Sequence, residues 1–122
     1  MTLSGESVRT NAQSDALMRG SKLELMVSPF VDDADRADPH IDVLHADLRG
    51  LPPAFLACGS LESLRDDTTR WAAKAREAGV DVLLEVCEGM QHVHVFMVGK
   101  APEADRTIAE AGKWIKDKLK IY

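Results

Sequence analysis

The second half of the chain alternates between apolar runs and amphipathic stretches. Ala54-Phe55-Leu56-Ala57-Cys58-Gly59 is a short apolar run bounded by Pro52-Pro53 and Gly59, the pattern of a buried parallel strand. Downstream, Asp66, Asp67 or Thr68 can cap a helix. Trp71, Ala72, Ala75 and Ala78 give that helix an apolar face, and Gly79 stands where a left-handed residue ends it. Val80 to Val86 is again mostly apolar and reads as the next strand. Strand, helix and strand within about 30 residues make a βαβ unit, which implies parallel strands and a right-handed crossover. After a turn at Glu88-Gly89, Pro102 opens a final helix. The spacing of Ala104, Ile108, Ala111, Ile115 and Leu119 makes these its core face.

The first half is less regular. MTLSGESVRTNA is polar and small and reads as loop. A helix is expected from Ser14 to Val27, with Leu17, Leu23 and Met26 at near-helical spacing and Gly20 weakening it. Ser28 to Pro53 is rich in Asp and Pro and reads as an irregular connection. It is too long for a plain loop, so it must pack against something or carry function. The expected architecture is therefore α/β: a partial domain over 1–122, with a helix and irregular connection over 1–53 and a βαβα unit over 54–122. Its sheet is small and parallel, with flanking helices. A two-stranded parallel sheet leaves both edges unpaired and its faces in need of cover. We therefore expect the chain to be incomplete or to associate with another copy through the Ala54–Cys58 edge, as a homo-oligomer.

Composition narrows the partners. Hydrophobic residues are 45% and charged residues 29%, ordinary values for a globular domain. The formal charge of −5, with scattered basic residues, argues against nucleic acid. Lys113, Lys116, Lys118 and Lys120 cluster where a helix C-terminus favours cations. No apolar run approaches the ~20 residues of a membrane span, and no signal-peptide pattern appears. A cytoplasmic chain without membrane partners is expected. Cys58 and Cys87 lie in apolar runs and read as buried thiols rather than a disulfide.

In open α/β sheets, reactive groups gather beyond the carboxyl ends of the strands. Two segments lie there: Gly59-Ser60-Leu61-Glu62-Ser63-Leu64-Arg65-Asp66-Asp67 and Glu88-Gly89-Met90-Gln91-His92-Val93-His94. They present a carboxylate and a histidine from adjacent loops, and an acid that orients a histidine is part of acyl-transfer machinery. His92 and His94 form a His-x-His pair. On a strand they would face one side, with His40, His45 or Cys87 as conceivable third zinc ligands. One spacing does not make a site, and neither a metal nor another cofactor is expected. His94 reads as a packed or pocket-lining residue.

The stretch from Ala46 to Phe96, ADLRGLPPAFLACGSLESLRDDTTRWAAKAREAGVDVLLEVCEGMQHVHVF, resembles the C-terminal part of the hormone-sensitive-lipase-like esterases, a branch of the α/β-hydrolase fold. The shared features are a strand after Leu-Pro-Pro, the Gly-Ser-x-Glu segment followed by Asp-Asp, a helix ending Ala-Gly-Val, another strand, and Gly-Met-x-His. TLSGESVRTNA also resembles the segment after that family's sixth strand. The resemblance implies that Glu62 is the acid and His92 the base of a catalytic triad. Asp66 and Asp67 would then cap the helix or support the loop.

The departures are as informative. No Gly-x-Ser-x-Gly nucleophile turn and no His-Gly-Gly oxyanion loop is present. Ser7 sits in Gly5-Glu6-Ser7-Val8-Arg9, and Ser4, Ser60 and Ser63 are in no better context. Where the family has Ser-Pro in the connection, this chain has Asp42-Val43. We expect a fragment of a carboxylic-ester hydrolase, inactive alone, which would meet a small ester only if completed by the N-terminal part. The alternative is a non-catalytic, oligomerising interaction protein derived from a hydrolase. A flavodoxin-like ligand-binding domain is a weaker third reading, because no Gly-rich phosphate loop is present.

Overall fold

The computed structural model describes residues 2–121; Met1 and Tyr122 lie outside the described residues. The elements run α1 (Ser7–Thr10), α2 (Gly20–Val27), β1 (Ala54–Gly59), α3 (Arg65–Glu77), β2 (Val82–Cys87) and α4 (Pro102–Leu119). Single 3-10 turns occupy Asp33–Asp35 and His94–Met97. Strands β1 and β2 pair in parallel, in register from Ala54 opposite Val82 to Gly59 opposite Cys87. The fold class is the expected α/β, with a small parallel sheet and flanking helices.

Alternation along the strands sends successive side chains to opposite faces. On one face Val82, Trp71 of α3 and Ala78 just after it pack against a buried cluster of Leu48, Ala75 and Val80. On the other, Phe55 meets Trp114 of α4 with ring centroids 5.9 Å apart. The sheet is thus sandwiched between α3 and α4. Helix α3 ends as its sequence dictates: Gly79 has φ 83°, and the Gly79 and Val80 amides bond back to the Arg76 and Ala75 carbonyls. Pro102 sits in the first turn of α4, where a missing N–H costs nothing.

Several expectations need correction. Strand β2 begins at Val82 rather than Val80, which instead fills the core cluster. Helix α4 has the right period but its phase differs by about one residue. It buries Ala104 and Thr107, while Ile108, Ile115 and Leu119 stay between 46 and 63% exposed. Trp114 settles the phase by docking on Phe55. No helix spans Ser14 to Val27, because the Asp15 carboxylate accepts the Leu17 and Met18 amides and closes a turn. Such local capture competes with helix, and α2 starts only at Gly20. Conversely, the supposed loop at the start contains α1.

The capping of α3 also differs. Its N-cap position is Leu64, without a side-chain bond. Ser7 substitutes from 59 residues away: its Oγ accepts the Asp66 amide at 3.0 Å, and Asp66 Oδ2 accepts the Ser7 amide at 2.8 Å. The long connection packs on α3, where the Lys74 ammonium donates to the Leu44 and Ala46 carbonyls at 2.8 and 2.5 Å. At Asp42-Val43, where the family pattern is broken, the buried Asp42 carboxylate accepts the Thr2 and Leu44 amides. Among the described residues no helix is long and apolar enough to cross a membrane.

Candidate active site

Parallel pairing brings the carboxyl ends of β1 and β2 side by side, and the loops that follow are sewn together. The Ser60 amide donates to the Cys87 carbonyl and the Leu61 amide to the Met90 carbonyl. The Gly89 amide donates to Ser60 Oγ at 2.9 Å. Gly59 is where the loops press closest. A Cβ there would stand 2.1 Å from the Met90 carbonyl oxygen and 2.6 Å from that of Gln91. Only glycine permits this approach.

The approach brings Glu62 and His92 together. Glu62 is 3% exposed, and both carboxylate oxygens are engaged. Oε2 accepts the Gly59 amide at 2.9 Å, and Oε1 lies 3.3 Å from His92 Nδ1. That distance is at the long end for a hydrogen bond. A carboxylate beside Nδ1 leaves Nε2 as the basic nitrogen. Two clefts flank His92. One, of about 380 Å³, is lined by Leu56, Glu62, Leu64, Asp67 and Trp71 among others. The other, of about 340 Å³, is lined by Leu17, Met90, Val93, Phe96 and Met97 among others.

A strap over residues 11–16 binds both loops. Asn11 Nδ2 donates to the Ser60 and Glu62 carbonyls at 3.0 and 2.9 Å. Asp15 Oδ2 accepts the Ser63 amide at 2.6 Å. The Gln91 side chain closes the other side, accepting the Ala16 amide and donating to the Ser14 carbonyl. Burial pushes the Asp15 carboxyl up, but the Met18, Ser63 and Leu17 amides pull harder and hold it below the usual carboxylate range. Asn11, Asp15 and Gln91 join this candidate site without any local sequence signal. Their partners are more than 40 residues distant in sequence, so no local pattern marks them.

His94 is buried and bonds through Nε2 to Thr107 Oγ1 at 3.1 Å. It does not share a strand face with His92, since Val93 between them is left-handed and His94 opens the 3-10 turn. His40 bonds instead to Asp38, and His45 lies beside Asp42. Cys58 and Cys87 are free and buried. Among the described residues no serine hydroxyl bonds to His92. The Ser7 Oγ donates to the Ser63 carbonyl, and the Ser60 Oγ accepts the Gly89 amide.

A profile described as the alpha/beta hydrolase fold matches residues 1–97. The chain belongs to the α/β-hydrolase fold family. Its relatives include an esterase of Acinetobacter venetianus, 34% identical over 115 residues, which covers 93% of this chain and 38% of that protein. An esterase from the bacterial hormone-sensitive lipase family superposes with a TM-score of 0.92 at 32% identity, over 98% of this chain and 40% of its own. A hormone-sensitive-lipase homologue from a metagenome library gives 0.91 at 36% identity, over 97% and 41%. The resemblance read from the motifs is borne out. The chain spans about two fifths of the length of these relatives.

Proposed function

We propose that this chain carries the acid–base half of a carboxylic-ester hydrolase. The observation that carries the reading is the Glu62–His92 pair, a buried, doubly hydrogen-bonded carboxylate facing Nδ1 of a partly buried imidazole at the edge of two clefts. In this reading Glu62 holds the imidazole in the Nδ1–H tautomer. Nε2 takes the proton of a serine hydroxyl as that oxygen attacks the ester carbonyl, and returns it to the departing alcohol. Water then repeats the sequence on the acyl-enzyme. The Glu62 carboxylate stabilises the imidazolium that forms. The serine and the oxyanion donors come from the portion of the fold that the relatives have and this chain does not span. The substrate is a small ester. A cytoplasmic setting belongs to the same reading, since Cys58 and Cys87 are buried as free thiols, which suits a reducing compartment.

The test is hydrolysis of a short-chain nitrophenyl ester. The purified chain is expected to do no better than buffer, and turnover is expected once the separately expressed N-terminal segment of an esterase relative is added. Turnover by the chain alone that disappears in His92→Ala would overturn this division of labour.

A second reading, an interaction protein that pairs through β1, is favoured by one observation. Among the described residues the sheet has only two strands, so the edge of β1 away from β2 has no strand partner.

A further inference from the structure

Immediately after His92 the backbone does something costly. Val93 has φ 49° and ψ 39°, the left-handed region, where a β-branched residue is a genuine outlier. Such a conformation persists only when its surroundings impose it. On the C-terminal side of Val93 the imposing structure is a buried polar relay drawn from three elements. His94, 3% exposed, places Nε2 3.1 Å from Thr107 Oγ1. Thr107, 1% exposed, donates its single hydroxyl proton to Glu85 Oε1 at 3.0 Å. The Thr107 oxygen must therefore accept from His94, which fixes His94 as the Nε2–H tautomer. Among the described residues the second Glu85 oxygen is buried without a hydrogen-bond partner, and Thr107 is the donor to the first.

Buried polar chains are expensive unless satisfied, and no step of the ester chemistry above uses these three residues. We propose that the His94–Thr107–Glu85 relay is a latch. It ties the turn after β2 to α4 and to β2 itself, holds Val93 left-handed, and so keeps the His92 ring on Glu62. His94 and Thr107 are then positioning residues for the proposed reaction, and the inference rests on that reading. Without the latch, Val93 relaxes toward the extended region, the peptide after His92 rotates, and the imidazole leaves the carboxylate.

The experiment uses the 122-residue chain with ring-15N-labelled histidine. It reads the Nδ1–H to Nε2–H ratio of His92 at alkaline pH, where the tautomer follows the hydrogen bond made. Glu62→Leu, which removes the acceptor, is expected to lower that ratio. Thr107→Val, which keeps the shape and removes the hydroxyl, is expected to lower it by a factor of about 2 to 10, the worth of one ordinary hydrogen bond. Thr107→Ser is expected to restore it. In a Val93→Gly background, where left-handed backbone is no longer strained, Thr107→Val should move the ratio less. If Glu62→Leu lowers the ratio and Thr107→Val does not, the latch is overturned while the acid–base reading stands. If Glu62→Leu leaves the ratio unchanged, that reading fails and the latch with it. Should Thr107→Val not fold, His94→Phe, which keeps the bulk and breaks the relay, must lower the ratio for the proposal to survive.

Discussion

Replacing Gly59 by alanine should damage both stability and the Glu62–His92 pair. The added Cβ would lie 2.1 Å from the Met90 carbonyl oxygen, 2.5 Å from its carbon and 2.6 Å from the Gln91 carbonyl oxygen. All three are backbone atoms, so no side chain can swing aside. Ordinary carbon–oxygen contacts lie near 3.3 Å, so the Met90–Gln91 backbone must retreat by roughly 1 Å. Overpacking of this kind costs about 1–3 kcal/mol, which lowers the melting temperature by roughly 4–12 °C for a domain of this size. Two residues beyond Met90 is His92, and its ring would be carried off the Glu62 carboxylate. A displacement of about 1 Å in such a group is worth on the order of 10²-fold in rate. The assay is thermal unfolding together with the His92 tautomer ratio. Gly112→Ala is the matched control. Among the described residues, nothing apart from its chain neighbours and the helix's own backbone stands within 4 Å of a Cβ at Gly112, and it lies inside α4, so alanine should stabilise by up to about 1 kcal/mol. A Gly59→Ala chain that melts like the parent and keeps its tautomer ratio would refute the close-approach argument.

Other consequences can be checked independently. Asp15→Ala strands three amides, those of Leu17, Met18 and Ser63; urea unfolding should register a loss of roughly 2–4 kcal/mol, and a loss below 0.5 kcal/mol would be at odds with a structural strap (about the surface-substitution level). Because the folded Asp15 carboxyl is held below its usual range, its contribution is full above the unfolded value near ~3.9 and fades as pH falls through the lower folded value. The stability gap between the parent and Asp15→Asn should accordingly shrink in acid, and a constant gap down to about pH 2 would contradict this. Burial pushes the Cys58 thiol up to about 11, so at about pH 8 its thiolate fraction alone should slow disulfide-reagent labelling on the order of 10²-fold against the unfolded chain; labelling at the unfolded rate would be inconsistent with that burial. If the β1 edge that lacks a strand partner among the described residues pairs between copies, light scattering at micromolar concentration should give a dimer or larger species, and a monodisperse monomer counts against it.

The elements most legible in the sequence were those with strong local grammar. Two apolar runs separated by an amphipathic stretch with Gly79 at its end read as a parallel βαβ unit, and topology alone marks the residues beyond both strands as a candidate site. Glu62 and His92 came from the family resemblance, and the fold places them 3.3 Å apart. What escaped was set by distance. Asp15 reads locally as part of a helix, yet its carboxylate is claimed by an amide 48 residues away. Ser7 reads as loop, yet it caps α3. The phase of α4 depended on where Trp114 met Phe55, which a periodicity of one helix does not contain. His94 could be read as packed, but its partners Thr107 and Glu85 come from another helix and the preceding strand.

The central claim is that Glu62 and His92 can serve a serine delivered by the remainder of an α/β-hydrolase fold. The most direct measurement grafts residues 2–121 of this chain in place of the matching segment of the Acinetobacter venetianus esterase, to which the chain is 34% identical over 115 residues. The chimaera is expected to fold, to hydrolyse a short-chain nitrophenyl ester and to lose about 10³-fold or more of its kcat in His92→Ala. A folded chimaera without activity, or one whose activity ignores His92→Ala, would contradict it.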